Sequence, residues 1–590
     1  MDNVEDRLVG IYPEVDMGAE SGRVPPRRWI EATTLGDLLD RRAFEMDEAQ
    51  ALAFPDRALT YRELGECADR FARGLLGLGI RRGEKVGILL GNSVDCLAAL
   101  FGAAKIGAIP VPVNNRLKGH ELSHLLAHSD MRILVTTGSG DGAEFGSPGY
   151  PDLLREALPT LAAHTGTDLT LEGFPELRGI VVLDGPVLDR AGETWQLTRA
   201  DLEAAAATVS DEAVLNEQLA VCVRDTAIIL YSSGTTATPK GVMVSHEALT
   251  RMAGALAHTR LHLTRADRVW ATLPFFHVGG IVFIMASLVA GSSLCHVGFF
   301  QPAKALDHLE RQGCTVALAS FETIWQAVLN QEDFDRRDLS KLRLVFALGI
   351  PETLKAMAKR VPDAVHVSCC GMTEAAGVIS FADIHDEEEK RLSTGGFPMP
   401  GMQVRTIDPE TGADTPPGVP GELLYRGSHV FSGYYKDPEL TAASFDADGW
   451  FHTGDLMVLD EDGRLSFVSR LRDMLKVGGE NVAAAEVEGF LLGHPAVYMV
   501  QVVGAPDAKY IEVPAAFVQL KPGHDVSERE LIDFCRGRIA SFRVPRYVRF
   551  VQDYPMSGTK VRKNVLRQVI ADELAAKGIT EAPRIRSVPA

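Results

Sequence analysis

A few short stretches of this chain hold hydroxyls, cations and carboxylates at spacings suited to chemistry on phosphates. The densest is Tyr231-Ser-Ser-Gly-Thr-Thr-Ala-Thr-Pro-Lys-Gly-Val-Met-Val-Ser-His246. Ser232, Ser233, Thr235 and Thr236 offer hydroxyl and backbone donors, Gly234 lets the chain bend, and Lys240 supplies a cation. Such a loop suits the wrapping of a polyphosphate. It is not a Walker A loop. Pro239 stands where a second glycine belongs, and the strand-like Val242-Met-Val244 follows where a helix should begin. A Ser/Thr-rich surface turn is the bland alternative.

Four further places carry reactive residue types. Ser368-Cys-Cys-Gly-Met-Thr-Glu-Ala-Ala-Gly377 runs a strand into a glycine, with Thr373 and Glu374 at its end, where ligands gather in open parallel sheets. Glu374 can hold Mg²⁺, a hard cation that bridges phosphates, or be an ordinary loop glutamate. Asp455, after a glycine in Gly449–Leu456, suits a ribose diol or simply a turn. His277, in Pro274-Phe-Phe-His-Val-Gly-Gly280, reads as pocket lining or as a satisfied core histidine. Lys560 follows the loop Pro555-Met-Ser-Gly-Thr559, from which its ammonium can reach an anion. A fifth pattern, His120-Glu-Leu-Ser-His124 with His128 beyond it, matches the zincin spacing on a helix. Leu122, Leu125 and Leu126 form an apolar stripe beside these histidines, so a structural helix is the preferred reading and zinc proteolysis is set aside.

The elements that must position these residues follow from periodicity. Lys85–Leu90, a helix over 93–106 and Ile109–Val113 form a βαβ unit, so a parallel sheet covered by helices is expected. Val316–Ser320 and Leu344–Leu348 continue the pattern. After about residue 420, short alternating strands with Gly/Asp turns replace helices. The charged, glycine-bearing Ser469–Val482 reads as a hinge into a small α+β domain, with helices at Ala484–Leu492 and Glu528–Ile539. The chain from Arg536 to Arg567 carries nine Lys/Arg against one acid, Asp553, a local basic patch suited to a phosphate-bearing partner.

Composition narrows the class. At 590 residues, 46% hydrophobic and 24% charged, the chain is an ordinary globular protein of several units. A net charge of −19 argues against a nucleic-acid partner. The longest apolar run, roughly Val278 to Ala290, is too short for a transmembrane segment. The N-terminus lacks the basic and apolar regions of a secretory signal, and the eight cysteines show no CxxC spacing, so a cytoplasmic location is expected.

Together the five motifs (the Ser/Thr/Gly loop, Pro274–Gly280, Gly371-Met-Thr-Glu374, Thr453-Gly-Asp455, and Arg470–Glu488 with Lys560) resemble the adenylate-forming superfamily of AMP-binding enzymes. The resemblance runs from about Thr34 onward and is of the acyl-CoA synthetase type. It implies an α/β and α+β multidomain fold: an arm at 1–33, a large domain of parallel-rich sheets with helices and a β-barrel-like subdomain at 34–470, and a mobile α+β lid at 471–590. It implies activation of a carboxylic acid by ATP through an acyl-adenylate, then thioester formation with CoA. A carrier protein in place of CoA is the alternative acceptor, and a homodimer is one assembly open to the family.

Family roles fall by motif. The catalytic set is Lys560, Thr235, Glu374 and His277. ATP is held by Ser232, Ser233, Gly234, Thr235, Thr236, Lys240, Gly349, Gly371, Met372, Thr373, Asp455 and Arg470, and Mg²⁺ by Glu374 and Thr235. Arg472 is the hinge, and Gly478 and Gly479 with His277 line the thiol channel. His277, Val278, Gly279, Phe283, Phe321, Gly371 and Gly377 enclose the acyl group. Gly371 stands where acetate-activating relatives carry a blocking Trp, which implies a larger acid. The chain departs from the family at four points. Cys370 replaces the aromatic that stacks on adenine, and Ala347-Leu-Gly-Ile-Pro351 replaces the usual small-residue run. Ala484 replaces the hinge-side proline, and Thr559 replaces a glycine. Lys563 stands near enough to Lys560 to compete for its role. Finally, no acidic residue lies between Asp267 and Asp307, so a wall built there has nothing to pair with a substrate ammonium.

Overall fold

A computed structural model of the chain describes residues 31–138, 150–184, 195–232, 239–477, 480–557 and 560–583. By internal contacts it divides into two units, Met1–Gln403 with Arg426–Phe445 and Val404–Tyr425 with Asp446–Ala590.

The first unit is built on two parallel-rich sheets. One has five strands in the order Ile109–Pro112, Lys85–Leu89, Met131–Thr136, Gly179–Val182, Gln196–Thr198, all parallel. The expected βαβ unit is its seed: Lys85 pairs with Ile109 in register, and the helix Val94–Lys105 makes the crossover. The other has seven strands, from Val365–Val367 through Leu344–Leu348, Val316–Phe321, Arg268–Ala271, Ser293–Cys295 and Gln50–Ala53 to Ala58–Thr60; only the last pair is antiparallel. Strands covered on both faces must be apolar throughout, and Gly179–Val182 is buried at every position.

Helix boundaries follow local chemistry. Tyr61–Gly77 begins with a capping box in which Thr60 and Glu63 satisfy each other's backbone N–H groups, and it buries Leu64, Phe71 and Leu75. Val278–Ala290 is apolar almost all round and almost wholly buried, and it ends at Gly291 in the left-handed region, φ +70°. Each large side chain so buried contributes about 1.5–3 kcal/mol. Two smaller antiparallel sheets sit in the same unit: Thr226–Ser232, Lys240–Ser245 and Gly433–Tyr434, and Cys369–Cys370, Ser380–Phe381 and Phe397–Pro398.

The second unit holds most of a four-stranded antiparallel sheet, Met402–Ile407, Gly421–Gly427, Phe451–Leu459 and Leu465–Arg470. Beyond it lies a five-stranded sheet, in which the long hairpin Val497–Asp507 and Ile511–Leu520 is flanked by Met474–Val477 and, in parallel, by Tyr547–Phe550. The helix expected over 528–539 stops at Cys535, because Arg536 turns extended and Gly537 takes a positive φ of 71°.

Four of the nine basic residues in the run 536–567 pair with acids from outside it. Arg543 pairs with Glu486, Arg549 with Glu528 and Glu573, Lys563 with Glu488, and Arg536 with Asp533. Periodicity cannot foresee that, since the partners come from separate helices.

Candidate active site

The antiparallel strands Thr226–Ser232 and Lys240–Ser245 pair so that Ser232 faces Lys240. The phosphate-type stretch therefore leaves one strand and re-enters the next at paired positions, which explains the strand where a Walker loop would have a helix. Ser233, Gly234, Thr235 and Thr236 lie outside the described residues.

Lys240 stands with its Nζ 5.3 Å from the centre of the Tyr434 ring, a cation–π distance. The Tyr434 hydroxyl donates to Glu374 Oε1 at 2.9 Å. Glu374 sits in a short 3₁₀ turn, Thr373–Ala375, and its backbone carbonyl accepts from Phe431 N at 2.9 Å. Its second carboxylate oxygen has no protein partner among the described residues. Burial and the adjacent Glu374 carboxylate push the Tyr434 phenol up, so it remains a donor. Tyr434 was missed by the sequence reading; its only signal is Gly433-Tyr-Tyr-Lys436, an aromatic pair on a short edge strand.

Gly371 and Gly377 face each other across the turn. A Cβ on Gly371 would stand 2.0 Å from Gly377 O, and one on Gly377, whose φ is +113°, would stand 3.1 Å from Val282 Cγ1 and 3.5 Å from Val278 Cγ2. The expected acyl-side residues Val278, Gly371 and Gly377 thus come together, with Val282 added. Met372 O ties the turn by accepting from Ala375 N and Gly377 N. His277 occupies the position before the helix Val278–Ala290, makes no side-chain capping bond there and is half-buried, its ring 6.4 Å from that of Phe276.

Other expected members have different surroundings. Phe283 is 2% exposed and packs edge-on against Phe346 at 5.4 Å. A Cβ on Gly279 would meet Leu273 Cδ1 at 2.4 Å. Phe321 is half-buried and precedes the helix Glu322–Leu329. Gly349 packs against a carboxylate that the sequence reading overlooked: a Cβ there would stand 2.1 Å from Glu322 Oε2, which accepts from Ile350 N at 3.1 Å. Burial pushes the Glu322 carboxyl up.

In the second unit Asp455 and Arg470 are register partners, with Arg470 Nε 3.3 Å from Asp455 Oδ1. The turn before them is set by Glu422, almost fully buried, whose two oxygens lie 3.1 Å from Gly454 N and 3.1 Å from His452 Nδ1. Lys563 is committed to Glu488 at 2.6 Å, so it is held as a structural cation. The side chains of Arg472 and Lys560, and Gly478 and Gly479 entirely, lie outside the described residues.

On the zincin-like helix, His128 Nδ1 lies 2.7 Å from the Tyr231 hydroxyl. Among the described residues no group of three or more His, Cys, Asp or Glu side chains is arranged to hold a metal, and no helix is long and apolar enough to cross a membrane.

The AMP-binding enzyme family matches residues 39–435, and its C-terminal domain matches residues 486–560. The chain belongs to that family. YngI of Bacillus subtilis (strain 168) is 38% identical over 544 residues, covering 91% of this chain and 97% of its own. The mitochondrial medium-chain acyl-CoA ligase ACSF2 of Mus musculus is 30% identical over 555 residues, covering 92% and 88%. Among solved structures, the anthranilate CoA ligase AuaEII in complex with anthranoyl-AMP superposes with a TM-score of 0.77 at 27% identity, covering 92% of this chain and 98% of that one. As a member of the family the chain is an AMP-forming acid–thiol ligase: ATP activates a carboxylic acid as its acyl-adenylate, and CoA takes the acyl group as a thioester.

Proposed function

We propose that the acid is larger than acetate and mainly apolar: medium or long chain, alicyclic or aromatic. One observation carries this reading. Gly371 and Gly377 pack backbone against backbone, and the turn they close lies beside Val278 and Val282 on a helix without a charged residue. The acid-free stretch between Asp267 and Asp307 supports it, since a substrate ammonium would be buried unpaired. The medium-chain ligase and the anthranoyl-AMP complex are similar proteins that handle acids of these kinds.

The residues then divide the work as follows. A carboxylate is already ionised at neutral pH, so attack on the α-phosphorus needs no general base. The obstacle is bringing one anion to another, and cations and aimed donors lower it. Lys240 and the hydroxyls from Ser232 to Thr236 hold the β- and γ-phosphates; Thr373 donates to the α-phosphate. Lys240 has no carboxylate partner among the described residues, which leaves its charge for the ligand. Asp455 accepts from the ribose hydroxyls with Arg470 beside it, and Gly349 and Met372 border the nucleotide.

Glu374 fits a Mg²⁺ ion: one oxygen is fixed by Tyr434 and the other has no partner among the described residues, and an ion that keeps its waters and takes phosphate oxygens needs no larger protein cage. When bound, with Thr235 as a second ligand, that ion supplies charge neutralisation along the phosphates.

Residues 471–590 act as a lid turning about Arg472. In one orientation Lys560 neutralises the attacking carboxylate and the α-phosphate. In the other, Gly478 and Gly479 line the thiol's approach and His277 stands between acyl group and thiol. The eight cysteines stand as thiols, which supports a reducing, cytoplasmic location, and a homodimer is the assembly to look for by light scattering.

The test is a panel of carboxylates with ATP and Mg²⁺, with and without CoA, read by pyrophosphate release and thioester formation. Apolar acids of six or more carbons are expected to be preferred. Acetate as the best substrate refutes the reading.

A further inference from the structure

The helix Gly119–Ser129 spends its last histidine on the neighbourhood of Lys240. His128 Nδ1 lies 2.7 Å from the hydroxyl of Tyr231. Tyr231 pairs with Gly241 across the hairpin, and the next residue, Ser232, pairs with Lys240. One residue past the helix, Asp130 adopts a left-handed conformation, φ +51°, and uses both oxygens. Oδ2 accepts from the Tyr435 hydroxyl at 2.9 Å, and Oδ1 from Lys436 Nζ at 2.7 Å. Tyr435 in turn donates its backbone N–H to Gly241 O at 2.7 Å. The His128 ring lies edge-on to both tyrosines, at 5.8 Å from Tyr231 and 5.9 Å from Tyr435. Successive side chains of an extended segment point to opposite sides. Tyr435 therefore reaches Asp130 while its neighbour Tyr434 reaches Lys240 and Glu374.

We propose that His128 and Asp130 are positioning residues for ATP activation: they fix Tyr231 and Tyr435, and through these the hairpin that carries Lys240 and the strand that carries Tyr434. The inference rests on the reading of Lys240 and Glu374 as the phosphate-side residues. Its physical basis is that Lys240 has a ring beneath it and, among the described residues, no carboxylate beside it. Its ammonium is aimed by its own backbone and by the Tyr434 ring, so the two strands that carry them must be held from behind. A charged group left open for a ligand works only when the residues supporting it are themselves locked. The two clamps converge on Gly241, the residue after Lys240, from Tyr231 on one side and Tyr435 on the other.

The experiment separates the two half-reactions and measures MgATP binding by calorimetry without any acid. His128→Phe and Tyr231→Phe are each expected to weaken MgATP binding and slow adenylation about five- to tenfold, the size of one buried hydrogen bond. Thioester formation from supplied acyl-adenylate and CoA is expected to stay within about twofold, and the double variant to be no worse than either single. His128→Asn, which keeps a hydrogen-bonding group, recovers most of the loss. Asp130→Asn and Tyr435→Phe repeat the test on the second clamp. Tyr231→Phe removes a single oxygen and keeps the ring, so it serves where His128→Phe does not fold.

Equal slowing of both half-reactions, multiplying effects in the double variant, or unchanged MgATP affinity in all variants overturns the proposal. If the unmodified enzyme activated no acid, the functional reading would fail, yet the MgATP affinities would still decide the clamp.

Discussion

Gly371→Ala tests whether the missing side chain at the acyl mouth is a matter of substrate size or of backbone approach. The added Cβ would stand 2.0 Å from Gly377 O, with Gly377 C at 3.1 Å and Val378 Cα at 3.3 Å, so every near atom is backbone. Restoring ordinary contact requires about 1.4 Å of movement. That movement is opposed by Gly377 N→Met372 O at 3.1 Å and Ile379 N→Cys370 O at 2.8 Å, the bonds that close the turn. Losing both costs about 2 kcal/mol at about 1 kcal/mol each, and residual overpacking adds about 1–2 kcal/mol. We therefore expect about 3–4 kcal/mol of local destabilisation. Thr373 and Glu374 ride on the same turn, so adenylation should fall for every acid by a similar factor. The assay is kcat/KM across straight-chain acids from two to twelve carbons, beside calorimetric melting. A variant that melts like the parent and merely shifts its preference to shorter acids would refute the backbone argument and restore the simple plug.

Three more predictions concern the C-terminal region. Lys560→Ala should lower acyl-adenylate formation by orders of magnitude, on the order of 10²-fold or more, and largely spare thioester formation from supplied adenylate. Lys563→Ala should instead loosen the helix Lys563–Ala576 from Glu488, with a stability loss of about 1–3 kcal/mol and both half-reactions affected alike; the opposite pattern would exchange the two roles. The Glu573 carboxyl is held down at about 2 from 4.5 by its hydrogen bonds to the Arg549 guanidinium, then to Lys577. A depressed carboxyl contributes stability that is complete above its unfolded-state value and disappears as pH falls through the folded one. Urea unfolding of Glu573→Gln and the parent, from about pH 5.5 to about pH 3, should therefore converge as pH falls, and a gap independent of pH would contradict the assignment.

How much of this was legible in the sequence depends on where the partners lie. The βαβ unit at 85–113 and the strands at 316–320 and 344–348 were readable because a parallel sheet buried on both faces leaves continuous apolar runs. The helix Ala484–Leu492 was readable for the same local reason. The strand after Lys240 was readable, but its pairing was not: Ser232 meets Lys240 only because the chain doubles back. The basic run at 536–567 is legible as charge along the chain, but its pairing is not, because Arg549 and Lys563 find Glu573 and Glu488 through packing. Glu322 is not legible because it opens the helix Glu322–Leu329, and only the fold brings its carboxylate against Gly349.

Tyr434 shows the same limit at the site itself. Lys240 and Glu374 are separated by 134 positions, and each belongs to a motif recognisable alone. What joins them is a phenol from a two-residue strand that pairs with the hairpin, Tyr434 opposite Val242. No motif announces that residue, since its value lies in offering a ring face to a cation and a hydroxyl to a carboxylate at once. A catalytic group that acts on charge can be read from its own neighbours in sequence. A group that aims two others cannot, because its role is defined by the distance between them, and only the folded chain sets that distance.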